Sequence, residues 1–537
     1  MNRTIAIVLL YSCTFLSCLA VRGEARPNII IMMSDDMGYS DLGCFGSEIQ
    51  TPHLDKLAAE GIRYTQMYNT SKCTTTRSSL LTGRYVIPAT WTSNLETGPL
   101  IGEVLQLAGY RTLWSGKNHS HILPPRRGFD RFYGFQGGAC NFWNPGDAMQ
   151  DGSAFPYIKA YQWMVDDQWL PQYIPKDPNY YMTDVITDNA LGWLDEYQGE
   201  EKPFFLYLAY NSPHWPLHAK PDDIAQYKGY YDKGYQNIRN TRYQRMIEMG
   251  VFEAINAPLF PEDIRDWATL SEQEKALESQ NMEIHAAMVH NLDQNIGRVI
   301  EKLKQHGDLD NTVIFFFTDN GASAERDQRA KKNYQPTGDE PIGSVKTYEC
   351  IGKDWGRAIN APFAKHKATS YEGGIRTPMI GYWPNGQQTE LQKPGGFYRE
   401  SAHLVDMMST AIDLAETSYP ETFRNRKSEP IEGTSLVPSF KGQSLDREKS
   451  HFFYWGGHHA YIDGDWKIIR SFKKKQPWEL YNLSANQTET VNLADQHPGK
   501  VIALEQAWEK REAYYRQVSK KIDMNSIRNN FYDNAGQ

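Results

Sequence analysis

The runs of apolar residues that end in polar clusters most strongly limit the folds open to this chain of 537 residues. Residues 29–33, 204–208 and 313–317 are short and almost entirely apolar, and a more polar run covers 111–114. Runs of this kind are typical of parallel strands that are covered on both faces. Helical patterns lie between them, so we expect an α/β fold with a large doubly wound mixed sheet flanked by helices.

Two segments carry the clearest helical patterns. Thr51 and Pro52 predict an N-cap and a first-turn proline for a helix that ends before Gly61. Apolar residues recur at helical spacing over 284–303, and Gly307 ends that pattern. A stripe of this kind indicates packing against the core rather than a binding surface.

The chain divides by composition into three predicted parts. Residues 1–25 have the order of a signal peptide: Arg3, an apolar run, and a small-residue cleavage site at Ala25. Residues 26–420 form the predicted main α/β domain. A polar stretch over 422–450 marks the boundary with a smaller C-terminal α+β domain, 421–537, which contains two β-rich runs and a charged helix beyond that stretch.

The leader predicts export to the periplasm or the medium. Its apolar run is short for a transmembrane helix, and no later stretch is apolar enough to span a membrane. Leu16-Ser17-Cys18 leaves a lipoprotein anchor open as an alternative. After cleavage we therefore expect no stable membrane span.

Charge and cysteine content exclude two further classes of protein. The net charge is −8, whereas a protein that coats nucleic acid usually needs a basic face. Six cysteines are too few for a disulfide scaffold of this length. Outside the leader and Cys73, we interpret Cys44, Cys140 and Cys350 as buried thiols that could form one disulfide at most.

An aromatic-rich segment over 132–181 interrupts the α/β pattern. It could line a carbohydrate pocket, because sugars stack on aromatic rings, or it could be an irregular insertion packed by its own side chains. The aromatic residues concerned are Trp143, Tyr161, Trp163, Trp169 and Tyr173.

Acidic and amide side chains follow two of the predicted strands. Asp35 and Asp36 come after the first strand, and Asp319 and Asn320 after the strand that ends at 317. Ligands of open α/β sheets bind beyond the carboxyl ends of the strands, so these clusters can converge. Oxygen-only ligands favour Ca²⁺ or Mg²⁺ over zinc.

The most specific motif runs from Cys73 to Arg84, in the order Cys-Thr-Thr-Thr-Arg-Ser-Ser-Leu-Leu-Thr-Gly-Arg. It resembles the signature of the sulfatases, a family within the alkaline phosphatase superfamily. Further blocks resemble later parts of the same family in the same order: residues 27–46, 116–119, 212–216, 318–321, 371–378 and 478–483. The resemblance implies a calcium-dependent hydrolase of sulfate monoesters and favours a carbohydrate as the substrate, with the C-terminal domain completing the substrate cleft.

The resemblance also implies a role for individual residues. Cys73 would be oxidised to formylglycine by a maturation enzyme, and its hydrated aldehyde would attack sulfur. The implied ligands of Ca²⁺, which is favoured over Mg²⁺, are Asp35, Asp36, Cys73, Asp319 and Asn320.

The remaining implied roles concern binding and proton transfer. Arg77 would hold the hydrate, and Lys117 and Lys367 would bind sulfate oxygens. His214, helped by Lys367, would contact the substrate and protonate the leaving group. His119 would take a proton so that sulfate is expelled. Lys365, two residues before Lys367, is the alternative lysine.

One position departs from the family pattern. Thr75 stands where proline or alanine is usual, and the maturation machinery reads that position. If Cys73 were not converted, the chain would be an inactive sulfatase-like protein that binds glycans. A phosphonate monoester hydrolase or phosphodiesterase on the same fold is the second alternative.

Overall fold

The computed structural model describes residues 26–87, 95–120, 122–146, 163–170, 173–324, 341–387, 393–447, 450–471 and 476–522. The predicted signal peptide and the aromatic residue Tyr161 lie outside these ranges. Cys44, Cys73, Cys140 and Cys350 are free thiols, and none of the helices in the described part of the chain is long and apolar enough to cross a membrane.

The secondary structure alternates between strands and helices up to about residue 382. The strands are β1 (Asn28–Ser34), β2 (Ile62–Tyr68), β3 (Arg111–Lys117), β4 (Arg131–Phe135), β5 (Trp163–Val165), β6 (Gln168–Leu170), β7 (Phe204–Ala209), β8 (Thr312–Thr318), β9 (Arg376–Tyr382), β10 (Gly396–Tyr398), β11 (Ala402–His403), β12 (Thr422–Phe423), β13 (Arg426–Lys427), β14 (Ser450–Trp455), β15 (His458–Asp463), β16 (Trp466–Ser471) and β17 (Glu479–Asn482). The helices are α1 (Pro52–Glu60), α2 (Cys73–Thr82), α3 (Ile101–Leu107), α4 (Met182–Glu196), α5 (Pro221–Ala225), α6 (Gly234–Glu248), α7 (Glu272–His306), α8 (Gly352–Ala358), α9 (Glu372–Ile375), α10 (Asp406–Leu414), α11 (Val437–Phe440) and α12 (Pro498–Lys520).

The central sheet has eleven strands in the order β10-β2-β9-β8-β1-β7-β3-β4-β5-β6, with β11 also paired to β2. Strands β8, β1, β7, β3 and β4 are parallel neighbours. Strand β9 is antiparallel to both β8 and β2, and β5 and β6 form an antiparallel extension. The predicted large mixed α/β sheet is therefore confirmed.

The first strand shows why its sequence is continuously apolar. Ile30 and Met32 pack into one buried cluster, whereas Ile29, Ile31 and Met33 pack into a second cluster on the opposite face. Both faces of a strand at the centre of this sheet are covered, so neither face can be polar. The polar residues of this segment begin where the strand ends, at Ser34 and Asp35.

The predicted helix and its first-turn proline are confirmed, and Thr51 stands at the N-cap position. Its side chain makes no capping hydrogen bond, and its hydroxyl instead donates to Asp55 Oδ1 at 3.0 Å. The first turn is capped from α7, where the Asp293 carboxylate accepts the N–H of Leu54 at 2.8 Å and that of His53 at 3.2 Å. Local sequence could not reveal a cap from so distant a residue.

The C-terminal strands β14 to β17 form a separate antiparallel sheet on which α12 packs. Trp508 of α12 stacks on Phe452 with ring centroids 5.6 Å apart. This sheet also contacts the main part of the chain: Phe453 packs with Tyr68 of β2 and with Ile375 of α9 in one buried cluster. The end of β2 and helix α9 thus pack against the C-terminal sheet.

The described part of the aromatic-rich segment packs against the protein itself. Trp163 is fully buried, with its ring centroid 5.2 Å from that of Tyr133 and 5.1 Å from that of Tyr173. Trp143 lies 4.8 Å from Tyr181 by ring centroids. For these residues the structure favours the interpretation as an aromatic-packed insertion.

Candidate active site

The polar clusters that follow the parallel strands meet at one edge of the sheet. The N–H of Asp35 donates to Ser212 O at 3.1 Å, and the N–H of Asp319 donates to Ser34 O at 3.1 Å. Asp36 adopts a left-handed backbone with φ of 66°, and its own N–H donates to Asp319 Oδ1 at 3.3 Å. These contacts turn the carboxylates of Asp35, Asp36 and Asp319 toward one another.

The Asp35 carboxylate is fully buried and lies among cations. Lys117 Nζ at the end of β3 donates to Asp35 Oδ2. Arg77 of α2 bridges two of the acids, with its Nη2 3.5 Å from Asp35 Oδ2 and 3.3 Å from Asp319 Oδ2. All of these side chains have no exposed surface, so their charges are not screened by water.

The Asp36 carboxylate gathers a second set of partners. Lys367 Nζ lies 2.6 Å from Asp36 Oδ1, and Asn320 Nδ2 donates to the same oxygen at 2.7 Å. His214 Nε2 lies 3.5 Å from Asp36 Oδ2, and Trp215 O lies 2.7 Å from His214 Nδ1. Because a carbonyl can only accept, Nδ1 carries a proton and Nε2 faces the site.

The alternative lysine has a different environment. Lys365 Nζ lies 4.0 Å from Glu262 Oε2, and its side chain is 31% exposed. The Lys367 side chain, by contrast, is 1% exposed and reaches Asp36. The structure therefore brings Lys367, and not Lys365, to the acidic cluster.

Helix α2 brings the signature motif to this cluster. Cys73 is buried in its first turn, and Gly83 ends the helix with a φ of 64°. The Thr76 hydroxyl donates to Asp319 O at 2.8 Å, which fixes the start of α2 against the end of β8. The Thr75 hydroxyl lies 2.6 Å from Thr70 Oγ1 and donates to Lys72 O at 3.1 Å. The unusual Thr75 is therefore part of the hydrogen bonding at the helix start.

His119 approaches from the turn after β3. It is half-buried, has a φ of 48°, and lies against Gly138, where an added Cβ would be 2.8 Å from His119 Cε1. Gly138 O also accepts a hydrogen bond from Lys117 Nζ at 2.6 Å. One backbone segment thus positions both the lysine and the histidine.

The electrostatics of the cluster follow from burial and mutual charge. Burial alone would raise the pKa of Asp35, but the surrounding positive groups, Lys117 foremost, outweigh it and hold that pKa well below its usual range. Burial, reinforced by the charge of Asp35, raises the pKa of Asp319. Burial also lowers the pKa of His214 to about 4, although Asp35 and Asp36 act in the opposite direction.

The donor set fits a hard divalent cation. Asp35, Asp36 and His214 present ligand atoms within 4.8 Å of one another. Asp35 Oδ1 and Asn320 Oδ1 are buried oxygens that have no hydrogen-bond partner within the described residues. Buried oxygens of this kind are costly unless a donor or a cation satisfies them. Carboxylate and amide oxygens are the ligands that Ca²⁺ and Mg²⁺ take.

The structure brings most of the predicted site residues into one connected network, but it arranges some of them differently from the expectation. His214, expected as a proton donor, falls in the acidic triplet that could hold a cation. The contacts of Tyr207 and of Gly138 O were not foreseen. Tyr207 OH accepts from Arg77 Nη1 at 3.5 Å, yet Tyr207 lies within an apolar strand that gives no functional signal.

Fold and site together define an α/β enzyme for an anionic ester, with carboxylates, buried cations and a histidine at the carboxyl ends of a mixed sheet. A family model described as Sulfatase matches residues 27–417. The chain therefore belongs to the sulfatase family, and it is an enzyme of that family that hydrolyses sulfate esters.

Two relatives and one solved structure illustrate the similarity. An uncharacterized sulfatase of Schizosaccharomyces pombe is 32% identical, over 90% of this chain and 93% of the relative. The arylsulfatase of Klebsiella aerogenes is 29% identical, over 77% of this chain and 92% of the relative. The crystal structure of Ps i-CgsB in complex with k-i-k-neocarrahexaose has a TM-score of 0.62 at 22% identity, and covers 94% of this chain and 100% of the other.

Proposed function

We propose that this protein is an exported, Ca²⁺-dependent sulfatase that removes sulfate from carbohydrates by means of a formylglycine made from Cys73. The observation that carries the proposal is the convergence of Asp35, Asp36 and Asn320 with Lys117 and Lys367 at one buried point. A sulfate monoester needs its charge neutralised, an oxygen nucleophile in line with sulfur, and a proton for the leaving alkoxide.

The ligands proposed for the cation are Asp35, Asp36, Asp319, Asn320 and the modified Cys73. A bound Ca²⁺ would supply positive charge for a sulfate oxygen and for the hydrated aldehyde. His214 lies close to these acids and would border the set without joining it, because its Nε2 is needed for proton transfer. The unpartnered Oδ1 atoms of Asp35 and Asn320 support the assignment.

The cationic side chains have separate tasks in the proposal. Arg77 is held between two carboxylates and contacts Lys117 O at 3.1 Å, so its guanidinium is fixed in direction and would orient the hydrate. The ammonium groups of Lys117 and Lys367 enter from different strands and loops, and would bind sulfate oxygens from two sides. Both lysines are buried, which strengthens their attraction for an anion.

The two histidines would transfer protons in two different steps, departure of the leaving group and release of sulfate. His214 has Nδ1 engaged by Trp215 O, so it would contact the substrate and deliver a proton to the leaving alkoxide from Nε2. The pKa of His214 is low in the protein without substrate, so the negative charge of the bound sulfate ester would have to favour the protonated imidazole. His119 would accept a proton when sulfate is released, and its position beside Gly138 keeps it next to Lys117.

The substrate class rests on relatives of known crystal structure. Ps i-CgsB binds k-i-k-neocarrahexaose, a carbohydrate, and shares the fold along almost the whole chain. We therefore favour a sulfated carbohydrate, with residues 421–537 completing the cleft over the site. Export follows from the leader sequence, and maturation requires a formylglycine-generating enzyme in the same host.

Mass spectrometry of the peptide that contains Cys73, from protein made in the natural host, tests the proposal first. Formylglycine at position 73 is the expected result, together with release of sulfate from an aryl sulfate and from sulfated oligosaccharides. Cys73→Ala is the matched control, and it should release none. Unmodified cysteine in all of the protein, or faster turnover of an aryl phosphodiester than of the aryl sulfate, would refute the assignment.

A further inference from the structure

A buried ionic cluster joins the C-terminal sheet to the main domain. Lys467 of β16 places Nζ 2.6 Å from Glu372 Oε1 and 2.7 Å from Glu489 Oε1. The three side chains have no exposed surface. They lie outside the set of residues that binds substrate or the cation in the proposed mechanism.

Glu372 is held at several points. The Tyr68 hydroxyl donates to Glu372 Oε2 at 3.0 Å, and Arg376 Nη1 lies 3.4 Å from the same oxygen. The backbone N–H of Glu372 donates to Glu489 Oε2 at 2.8 Å. Helix α9, which Glu372 begins, is thus fastened to β2 and to the C-terminal region by its first residue.

Helix α9 also contacts two segments of the active site, one that carries Asn320 and one that carries Lys367. On one side, the N–H of Gly321, next to Asn320, donates to Gly374 O at 3.2 Å. On the other side, the N–H of Gly373 donates to Ala364 O at 2.9 Å, three residues before Lys367. A displacement of α9 would therefore move the turn that carries Asn320 and the loop that carries Lys367.

The backbone around α9 is packed so closely that it leaves no room for an additional atom. A Cβ added to Gly321 would lie 1.9 Å from Gly373 O, and one added to Gly374 would lie 2.2 Å from Thr369 O. Backbone meets backbone on both sides of α9, so a shift at Glu372 cannot be absorbed by rotation of a side chain.

We propose that Lys467 is a positioning residue for catalysis, because its contact with Glu372 fixes α9 and thereby the Asn320 and Lys367 segments. The C-terminal sheet thereby sets the geometry of the cation and sulfate site through α9. The inference rests on the proposed function only in assigning Asn320 and Lys367 to the reaction.

The charges of the cluster explain why Lys467 is needed. Glu372 and Glu489 are two carboxylates in contact with one ammonium group. Burial raises the pKa of Glu489 to about 7, with Lys467 acting in the opposite direction and the charge of Glu372 adding to the rise. Without Lys467 the two buried carboxylates would repel each other or one of them would take up a proton, and either change alters the contacts that hold the start of α9.

The test compares Lys467→Met and Glu372→Gln with the wild-type protein. We expect each variant to lose about 10- to 100-fold in kcat with little change in KM, the range typical of residues that orient ligands from outside the site. We also expect faster hydrogen exchange in peptides that cover 318–322 and 364–376. The double variant should lose no more kcat than the worse single variant, because both changes break one contact.

Arg127→Met is the matched control. It breaks a buried ion pair away from the site, in which Arg127 Nε lies 2.9 Å from Oε1 of Glu103 on α3. It should lower the melting temperature and leave kcat unchanged. Full kcat in folded Lys467→Met, unchanged exchange at both turns, or additive losses in the double variant would overturn the proposal. If the wild-type enzyme released no sulfate, the proposed function would fail, whereas the exchange measurement would still decide the role of Lys467.

Discussion

A buried histidine, His218, should make the stability of the protein depend on pH. His218 is fully buried, with Nε2 2.6 Å from Thr347 O and Nδ1 accepting the N–H of Phe142 at 3.3 Å. Both contacts require the neutral ring with its proton on Nε2, because Nδ1 must accept. Burial lowers the pKa of His218 from 6.5 to about 4.

The size and sign of the effect follow from linkage. The unfolded chain takes up a proton at His218 near pH 6.5, whereas the folded protein resists it down to about pH 4. His218 therefore costs no stability above pH 6.5, where it is neutral in both states. As the pH falls from 6.5 toward 4, the free energy of unfolding decreases because only the unfolded chain binds the proton. At about 1.4 kcal/mol per pH unit, the full loss is about 3 kcal/mol, and about 2.5 kcal/mol of it is reached by pH 4.5.

Equilibrium urea denaturation at pH 7.5 and pH 4.5 measures the effect in wild type and in His218→Gln. Glutamine can donate and accept in the same positions but does not titrate, so other groups cancel in the comparison. The stability of the variant relative to wild type should rise by about 2.5 kcal/mol between pH 7.5 and pH 4.5. An equal pH dependence of the two proteins would refute the reasoning.

Three further predictions concern stability and metal binding. Burial raises the pKa of Asp293 to about 7, so the stability of the wild type should fall as the pH rises from about 4 to 7. Asparagine does not titrate, so the stability of Asp293→Asn relative to wild type should rise by about 2–4 kcal/mol between pH 4 and pH 8 in denaturation curves. Arg84 donates to Pro430 O and, at 3.4 Å, to Tyr514 OH, which gives it a structural role. Arg84→Met should therefore cost about 1–3 kcal/mol of stability with KM unchanged, and a large rise in KM would contradict this role. Ca²⁺ at about 100 times its Kd should stabilise EGTA-treated protein by about 2.7 kcal/mol, measured by thermal denaturation, and Asn320→Ala should respond less; equal melting with and without Ca²⁺ would contradict the cation site.

Much of the fold could be predicted because the spacing of apolar residues along the sequence reflects which faces of each strand and helix are buried. The run at 313–317 became β8, and the helical stripe over 284–303 lies within α7, which ends before Gly307 as expected. The α-helical pattern was underestimated at its start, since α7 begins at Glu272 with the Ser271 capping box. Buried strand runs and the glycine that follows a helix involve only neighbouring residues, so sequence patterns report them well, whereas the cap that Asp293 supplies to α1 comes from a distant residue and was not predicted.

The sequence predicted which residues belong to the candidate site better than it predicted which of them contact one another. The signature motif pointed to Cys73 and Arg77, but no pattern showed that Arg77 would be shared by Asp35 and Asp319. The preference for Lys367 over Lys365 needed the fold, because both lysines lie in one loop and only burial separates them.

The alternation of strands and helices, the family resemblance, and the residue types at the carboxyl ends of the strands can all be inferred from the amino-acid order alone. Which of those residues meet depends on the folded structure. Asp35 and Lys117, or Glu372 and Lys467, are far apart in the chain, and their pairing depends on strand order and on close backbone packing. Buried charges have large energies only at short range and away from water, so chemistry of this kind is fixed by the packed core and not by any local pattern.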